Sequence, residues 1–138
     1  MRIASIAVSI MLTTWAGICL AADASICNPG SAITYYPNGT LQSCALKDIY
    51  TVDGLVCNMY ANITFYELGM LKSCTNRDFY TYGGISCDEY GVISFYPSGK
   101  LDTCILASQS TVDGKVCDGM QPISFFENGK LKACATPK

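Results

Sequence analysis

Nine cysteines and no histidine bound the chemistry open to this chain of 138 residues. Eight of the cysteines fall on a grid. Cys27, Cys57, Cys87 and Cys117 recur every 30 residues, and Cys44, Cys74, Cys104 and Cys134 do the same. Such thiols bind metal, act as nucleophiles or pair as disulfides. A zinc site wants closely spaced C-x-x-C ligands or histidines, and this sequence has neither. A cysteine or serine nucleophile wants an activating imidazole, which is also missing. Disulfides remain, and the expectation is an exported protein with no catalytic residue, no metal and no cofactor.

The carboxylates are the other residues able to do chemistry. Asp53 and Asp113 share one grid position, Asp48 and Asp78 a second, Asp88 and Asp118 a third. Paired carboxylates hydrolyse glycosides, but a catalytic pair is one place, and these are spread along a repeat. Asp53-Gly54 and Asp113-Gly114 also read as hairpin turns, while Asn28 and Asn58 fill the third position in the other units, as a turn-bonding side chain would. Alternating calcium-loop ligands and glycine-rich phosphate loops are lacking. A hydrolase working with acids alone is the last of the functional readings.

The compartment follows from the first residues, MRIASIAVSIMLTTWAGICLAADA, where one basic residue, Arg2, precedes an apolar run and then small residues. This is the pattern of a secretory signal peptide, residues 1–22, with cleavage expected after Ala22 or Ala24. Ser5, Ser9, Thr13, Thr14 and Gly17 interrupt the run and argue against a membrane anchor. With Arg2 gone, eight basic and eleven acidic residues leave a formal charge of −3. Nucleic-acid binding, which needs a basic patch, is set aside. Asn38-Gly39-Thr40 and Asn62-Ile63-Thr64 are glycosylation sequons if the host pathway is eukaryotic.

Residues 23–138 form a single repeat domain with units at 27–56, 57–86, 87–116 and 117–138. ITYYPNGTLQSC from Ile33 returns as ITFYELGMLKSC, ISFYPSGKLDTC and ISFFENGKLKAC from Ile63, Ile93 and Ile123. Pro37, Asn38 and Gly39 suit a three-residue hairpin loop with Gly39 left-handed. Pairing Tyr36 with Thr40 puts Ile33, Tyr35 and Leu41 on one face, with Ile63, Phe65 and Leu71, Ile93, Phe95 and Leu101, and Ile123, Phe125 and Leu131 as counterparts. Asp53-Gly54, Gly83-Gly84 and Asp113-Gly114 each close a second, two-residue hairpin. The expected fold is all-β, a tandem array of hairpins forming either one twisted sheet or an elongated solenoid.

The pattern of apolar residue, aromatic pair, glycine turn and leucine, carried by Tyr35-Tyr36, Gly39, Leu41 and Gly54 and their equivalents, resembles the variant MORN repeats of secreted and periplasmic proteins. That resemblance implies a β-hairpin array serving as a structural or interaction module.

If every unit uses the same bridge, pairing each cysteine with the next gives Cys27–Cys44, Cys57–Cys74, Cys87–Cys104 and Cys117–Cys134, with none left over. Shifting by one strands Cys27 and Cys134. Each bridge restrains the unfolded chain by roughly 3 kcal/mol. Strict alternation places Cys44 on the face opposite Ile33, so the bridges lie on the outer face or the strand bends near Ser43.

Tyr36, Tyr66, Tyr96 and Phe126 then form a ladder on the outer face beside Thr34, Thr64, Ser94 and Ser124. Such a ladder either stabilises the sheet or grips an extended ligand. The expected function is an exported, non-enzymatic binding module for a protein or a glycan. The alternative is a structural protein whose equivalent ends join head to tail into polymers with further copies.

Overall fold

A computed structural model describes residues 21–138; the apolar stretch that carries most of the signal-peptide reading, residues 1–20, lies outside the described residues. A short 3-10 turn, Ala24–Ile26, is followed by fourteen strands. In each unit the first hairpin contributes two strands to a single sheet: β1 (Thr34–Tyr35) and β2 (Leu41–Ala45), β5 (Asn62–Phe65) and β6 (Leu71–Thr75), β9 (Val92–Phe95) and β10 (Leu101–Ile105), β13 (Pro122–Phe125) and β14 (Leu131–Cys134). These eight pair in the order β1-β2-β5-β6-β9-β10-β13-β14, antiparallel throughout. The second hairpins stay out of the sheet as three separate ribbons: β3 (Tyr50–Val52) with β4 (Leu55–Cys57), β7 (Tyr80–Tyr82) with β8 (Ile85–Cys87), and β11 (Ser110–Val112) with β12 (Lys115–Cys117). Of the two architectures expected, the structure adopts the open sheet.

The turns form as their residues dictate. Tyr36 N–H donates to the Thr40 carbonyl and Gly39 N–H to the Tyr36 carbonyl, both at 2.9 Å, with Gly39 at φ 86°. In the first ribbon Asp53 and Gly54 both take positive φ, 48° and 79°, the geometry that joins two twisted strands through two residues.

The hairpins of the sheet depart from strict alternation in the same way each time. Tyr35 pairs with Leu41 but Thr34 pairs with Ser43, which leaves Gln42 as an extra residue in β2. Lys72, Asp102 and Lys132 occupy the same place in β6, β10 and β14. A β-bulge of this kind reverses the side-chain alternation beyond it. Cys44 consequently stands opposite Ile63, and Cys74 opposite both Ile63 and Ile93, on the core face. The bend, rather than an outer-face bridge, resolves the conflict left by the sequence.

All four bridges join consecutive cysteines 17 residues apart. Three of them tie the last residue of a ribbon, Cys57, Cys87 or Cys117, to the second strand of the sheet hairpin that follows, and Cys27, just after the N-terminal turn, is tied likewise to β2. Anchored this way, each ribbon lies over the following hairpin. Tyr50 meets Phe65 edge-on at 6.3 Å between ring centroids, and Tyr80 meets Phe95 at 6.2 Å. The resulting core gathers Ile63, Ile93, Ile123, Leu46, Leu106, the ribbon residues Leu55 and Ile85, and most of the half-cystines.

One expected core residue is not in it. Tyr35 is 52% exposed, whereas Phe65, Phe95 and Phe125 are buried. The cover over each of those phenylalanines is the ribbon of the preceding unit, and among the described residues no ribbon precedes β1.

Ile93→Ala, at a position with no solvent exposure, should cost about 2–5 kcal/mol in denaturant unfolding with the bridges intact, against less than about 0.5 kcal/mol for exposed Val92→Ala. Deleting Lys72 removes one bulge and turns Cys74 to the outer face. A peptide map should then lack the Cys57–Cys74 bridge while keeping Cys117–Cys134.

Candidate functional site

The bulge that sends each cysteine inward sends its neighbour outward. Thr34 faces Ser43, Ser43 faces Thr64, Thr64 faces Ser73, Ser73 faces Ser94, Ser94 faces Thr103, Thr103 faces Ser124 and Ser124 faces Ala133. Seven hydroxyl residues and one alanine thus form a single row across all eight strands, one residue per strand at about 4.8 Å. Within the first two hairpins the hydroxyls bond each other at 2.6 Å, Thr34 with Ser43 and Thr64 with Ser73, and Ser94 meets Thr103 at 3.3 Å. Ser43, Ser73 and Thr103 were not legible as surface residues, because alternation without a bulge turns them inward. The signal that points to them is the small or hydroxyl residue standing before every second cysteine.

The aromatic ladder lies beside this row, toward the hairpin loops, and its phenol groups have partners. Tyr36, Tyr66 and Tyr96 donate through their hydroxyls to the carbonyls of Phe65, Phe95 and Phe125 at 2.8–2.9 Å. Each bond reaches 29 residues ahead and staples one unit to the next. The fourth member, Phe126, has no hydroxyl, has no following hairpin in this chain and is 49% exposed. The bulge residues attend the rings: Lys72 Nζ lies 5.5 Å from the Tyr66 ring centre and Lys132 Nζ 5.8 Å from that of Phe126, while the Asp102 carboxylate accepts from Ser94 at 3.3 Å. Such cation–ring contacts are weak at exposed positions but hold the lysine stems over the aromatic row.

The remaining sequence candidates occupy structural places. Asn38 Oδ1 accepts from the Thr40 N–H at 3.0 Å and its Nδ2 donates to the Glu67 carbonyl at 3.3 Å, so the sequon asparagine braces its own turn and the next unit. Asn62 is exposed at the start of β5. Asp53 and Asp113 sit in ribbon turns, Asp48 Oδ1 accepts from the Ile49 N–H at 2.7 Å, and Asn28 Oδ1 accepts from that of Gly30 at 3.1 Å. The fold leaves the grid carboxylates distributed along the array.

Two further features escaped the sequence reading. Tyr60, Tyr90 and Met120 occupy one grid position at the far end of the strands, all left-handed (φ 62°, 59° and 57°) and 63–69% exposed. Their N–H groups turn back to the carbonyls of Leu46, Asn76 and Leu106, which sets the backbone. Bulky residues held at positive φ cost about 1 kcal/mol or more each, and such strain gathers at functional surfaces. Asn76, 1% exposed where the other units have Leu46 and Leu106, donates to the carbonyls of Asp78 and Asp88 and so satisfies its own burial.

A one-dimensional stack of disulfide-stapled β-hairpin units, with a polar and aromatic outer face, defines a tandem repeat module. Its repeats are MORN-like: residues 29–46, which hold the first sheet hairpin, match the MORN repeat variant family. No curated protein and no solved structure matches the chain.

Partial desolvation raises the ionisation of Tyr66 above the ordinary tyrosine value, helped by the negative charge of Asp102, and the same two causes raise Tyr96. A raised value means that the fold favours the protonated phenol. The associated stability is therefore complete below about pH 10, the unfolded value, and is lost as pH climbs through the higher folded value. Unfolding free energy followed by denaturant titration should begin to fall above pH 10 and do so less in a Tyr66→Phe, Tyr96→Phe variant. At neutral pH Tyr36→Phe and Tyr66→Phe should each cost about 1 kcal/mol and Tyr96→Phe should destabilise in the same direction, whereas Phe126→Tyr should be neutral.

Proposed function

We propose that this protein is an exported, non-enzymatic binding module that holds an extended glycan, or an extended protein segment, along the outer face of its sheet. The observation that carries the reading is the unbroken row Thr34, Ser43, Thr64, Ser73, Ser94, Thr103 and Ser124. Hydroxyls donate and accept, and one every strand matches a ligand that presents hydroxyls at regular short intervals. The aromatic ladder adds a ring every second strand, about 9.6 Å apart. A β-1,4-linked glycan is periodic in the same sense, since alternate sugars show the same face. Rigid rings with little entropy to lose are what such flat ligands stack on. The four intramolecular bridges are compatible with an oxidising, secreted or periplasmic compartment.

Co-sedimentation with insoluble β-1,4-linked polysaccharides tests the reading. Thr64→Val with Ser94→Ala removes two hydroxyls from the centre of the row and should weaken retention about tenfold. Thr51→Val, an exposed hydroxyl on the first ribbon, should leave retention unchanged. Equal retention of both variants would remove the outer face from consideration. Tyr60→Gly and Tyr90→Gly keep the left-handed backbone without the rings and should alter stability by no more than about 1 kcal/mol, so any loss of binding they cause reports on the surface itself.

The second reading, head-to-tail assembly, draws on the exposure of Tyr35 at one sheet edge while its counterparts are buried. Strand β14 is the counterpart of β2, β6 and β10, and β1 of β5, β9 and β13, so β14 of one molecule has the register to pair with β1 of another as β2 pairs with β5, without closing a ring. Sedimentation velocity should then show oligomers that grow with concentration and are abolished by Tyr35→Glu. A single monomer boundary at all concentrations would leave the binding module alone.

A further inference from the structure

The first and third ribbons end in the same turn with different partners. Asp53-Gly54 has φ values of 48° and 79°, Asp113-Gly114 of 49° and 78°. At the third turn, Asp113 Oδ2 accepts from the backbone N–H of Leu131 at 2.7 Å, which clasps the ribbon tip to the hairpin beneath it. Leu71 is the counterpart of Leu131, 60 residues earlier, and Asp53 is the counterpart of Asp113. There, however, Asp53 and Leu71 line an open cavity of about 370 Å³, together with Tyr50, Phe65, Met70 and Ala22.

The chain itself supplies the difference. Ala22 packs against the core. Ala21 lies so near Gly69 that a Cβ placed on that glycine would come 2.6 Å from the Ala21 Cβ. At Gly99 and Gly129, the same place in the next two hairpins, an added Cβ would meet nothing within 4 Å. The two alanines therefore stand between the first ribbon tip and the loop it would otherwise reach.

We propose that Ala21–Ala22 act as a wedge that holds the first ribbon open, and that a chain beginning at Asp23 closes it, Asp53 accepting the Leu71 N–H as Asp113 accepts that of Leu131. Loss of the wedge leaves an apolar cavity lined by Tyr50, Phe65 and Leu71, and collapsing it removes apolar surface from water. The structure also separates the two leader cuts open to the sequence. Asp23 caps the 3-10 turn Ala24–Ile26, its Oδ1 accepting from the Ser25 N–H at 2.7 Å. A cut after Ala22 removes the wedge and keeps this cap, whereas a cut after Ala24 destroys the cap. Removal of the leader at Ala22 is then coupled to closure of the core face, a change separate from any ligand on the outer face.

The test compares two forms of the protein with all four bridges formed, one beginning at Ala21 and one at Asp23. Amide hydrogen exchange read by NMR should find Leu131 protected in both, and Leu71 exchanging about tenfold more slowly in the Asp23 form, the scale of one charge-assisted bond. Asp53→Gly reproduces the Gly83-Gly84 turn of the second ribbon without a carboxylate, and should return Leu71 to the faster rate. Equal Leu71 rates in the two forms overturn the closure. The wedge has its own readout in Gly69→Ala and Gly99→Ala, which share a positive φ, 87° and 81°. Gly69→Ala should be the more destabilising of the two only in the Ala21 form. The same difference between them in both forms overturns the wedge.

Discussion

One surplus residue in the second strand of every sheet hairpin governs the rest of this molecule. Without Gln42, Lys72, Asp102 and Lys132 the strands would alternate regularly and each following cysteine would face solvent. The bulge turns the cysteine inward, where it meets the isoleucine of the neighbouring strand and reaches the half-cystine that ends the preceding ribbon. That bridge pins the ribbon over the next hairpin, and the pinned ribbon buries its phenylalanine. The same reversal brings serine and threonine to the outer face in one row. Core, staple and candidate binding surface are thus three results of one local irregularity.

Stability in this array passes from each unit to the next. A ribbon covers the hairpin that follows, and a tyrosine hydroxyl bonds the backbone of the unit that follows, so most inter-unit contacts link nearest neighbours. Among the described residues Tyr35 and Phe126 are the members of their rows left half exposed, the one without a ribbon over it and the other without a hydroxyl to bond a carbonyl. The third ribbon shows a different adjustment. It carries Ser110 and Lys115 where the others have tyrosine and leucine or isoleucine, and polar contacts from Asp113 and Lys115 to the backbone of the last strand add to the packing of Val112 in holding it.

The outer face combines features that the fold alone does not require. Sheets are stabilised by several kinds of cross-strand pair, of which hydroxyl pairs are only one. Seven of the eight strands nonetheless keep a hydroxyl in one register, bordered at the loop end by rings and at the far end by Tyr60, Tyr90 and Met120 on strained backbone, and present a surface of near-uniform chemistry and constant spacing. Under the binding reading proposed above, this uniformity suits a periodic ligand better than a compact one.

Much of the architecture was determined by residues close in sequence. Asp-Gly and Asn-Gly turns, the 30-residue grid and the apolar alternation of Ile33, Ile63, Ile93 and Ile123 specify hairpins, repeats and one face of the core, because turn conformation and strand alternation are local properties. Equal spacing of the cysteines narrowed the bridges to two sets of consecutive pairs, and the fold adopts the one with a separation of 17 residues. The tertiary structure decided which hairpins join the sheet and which fold over it, the face on which the bridges lie, the exposure of Tyr35 and the alignment of Ser43, Ser73 and Thr103 with the hydroxyls of adjacent strands. These depend on where a bulge falls and on which unit covers which, and both are settled by packing between segments tens of residues apart, where no local pattern carries the information.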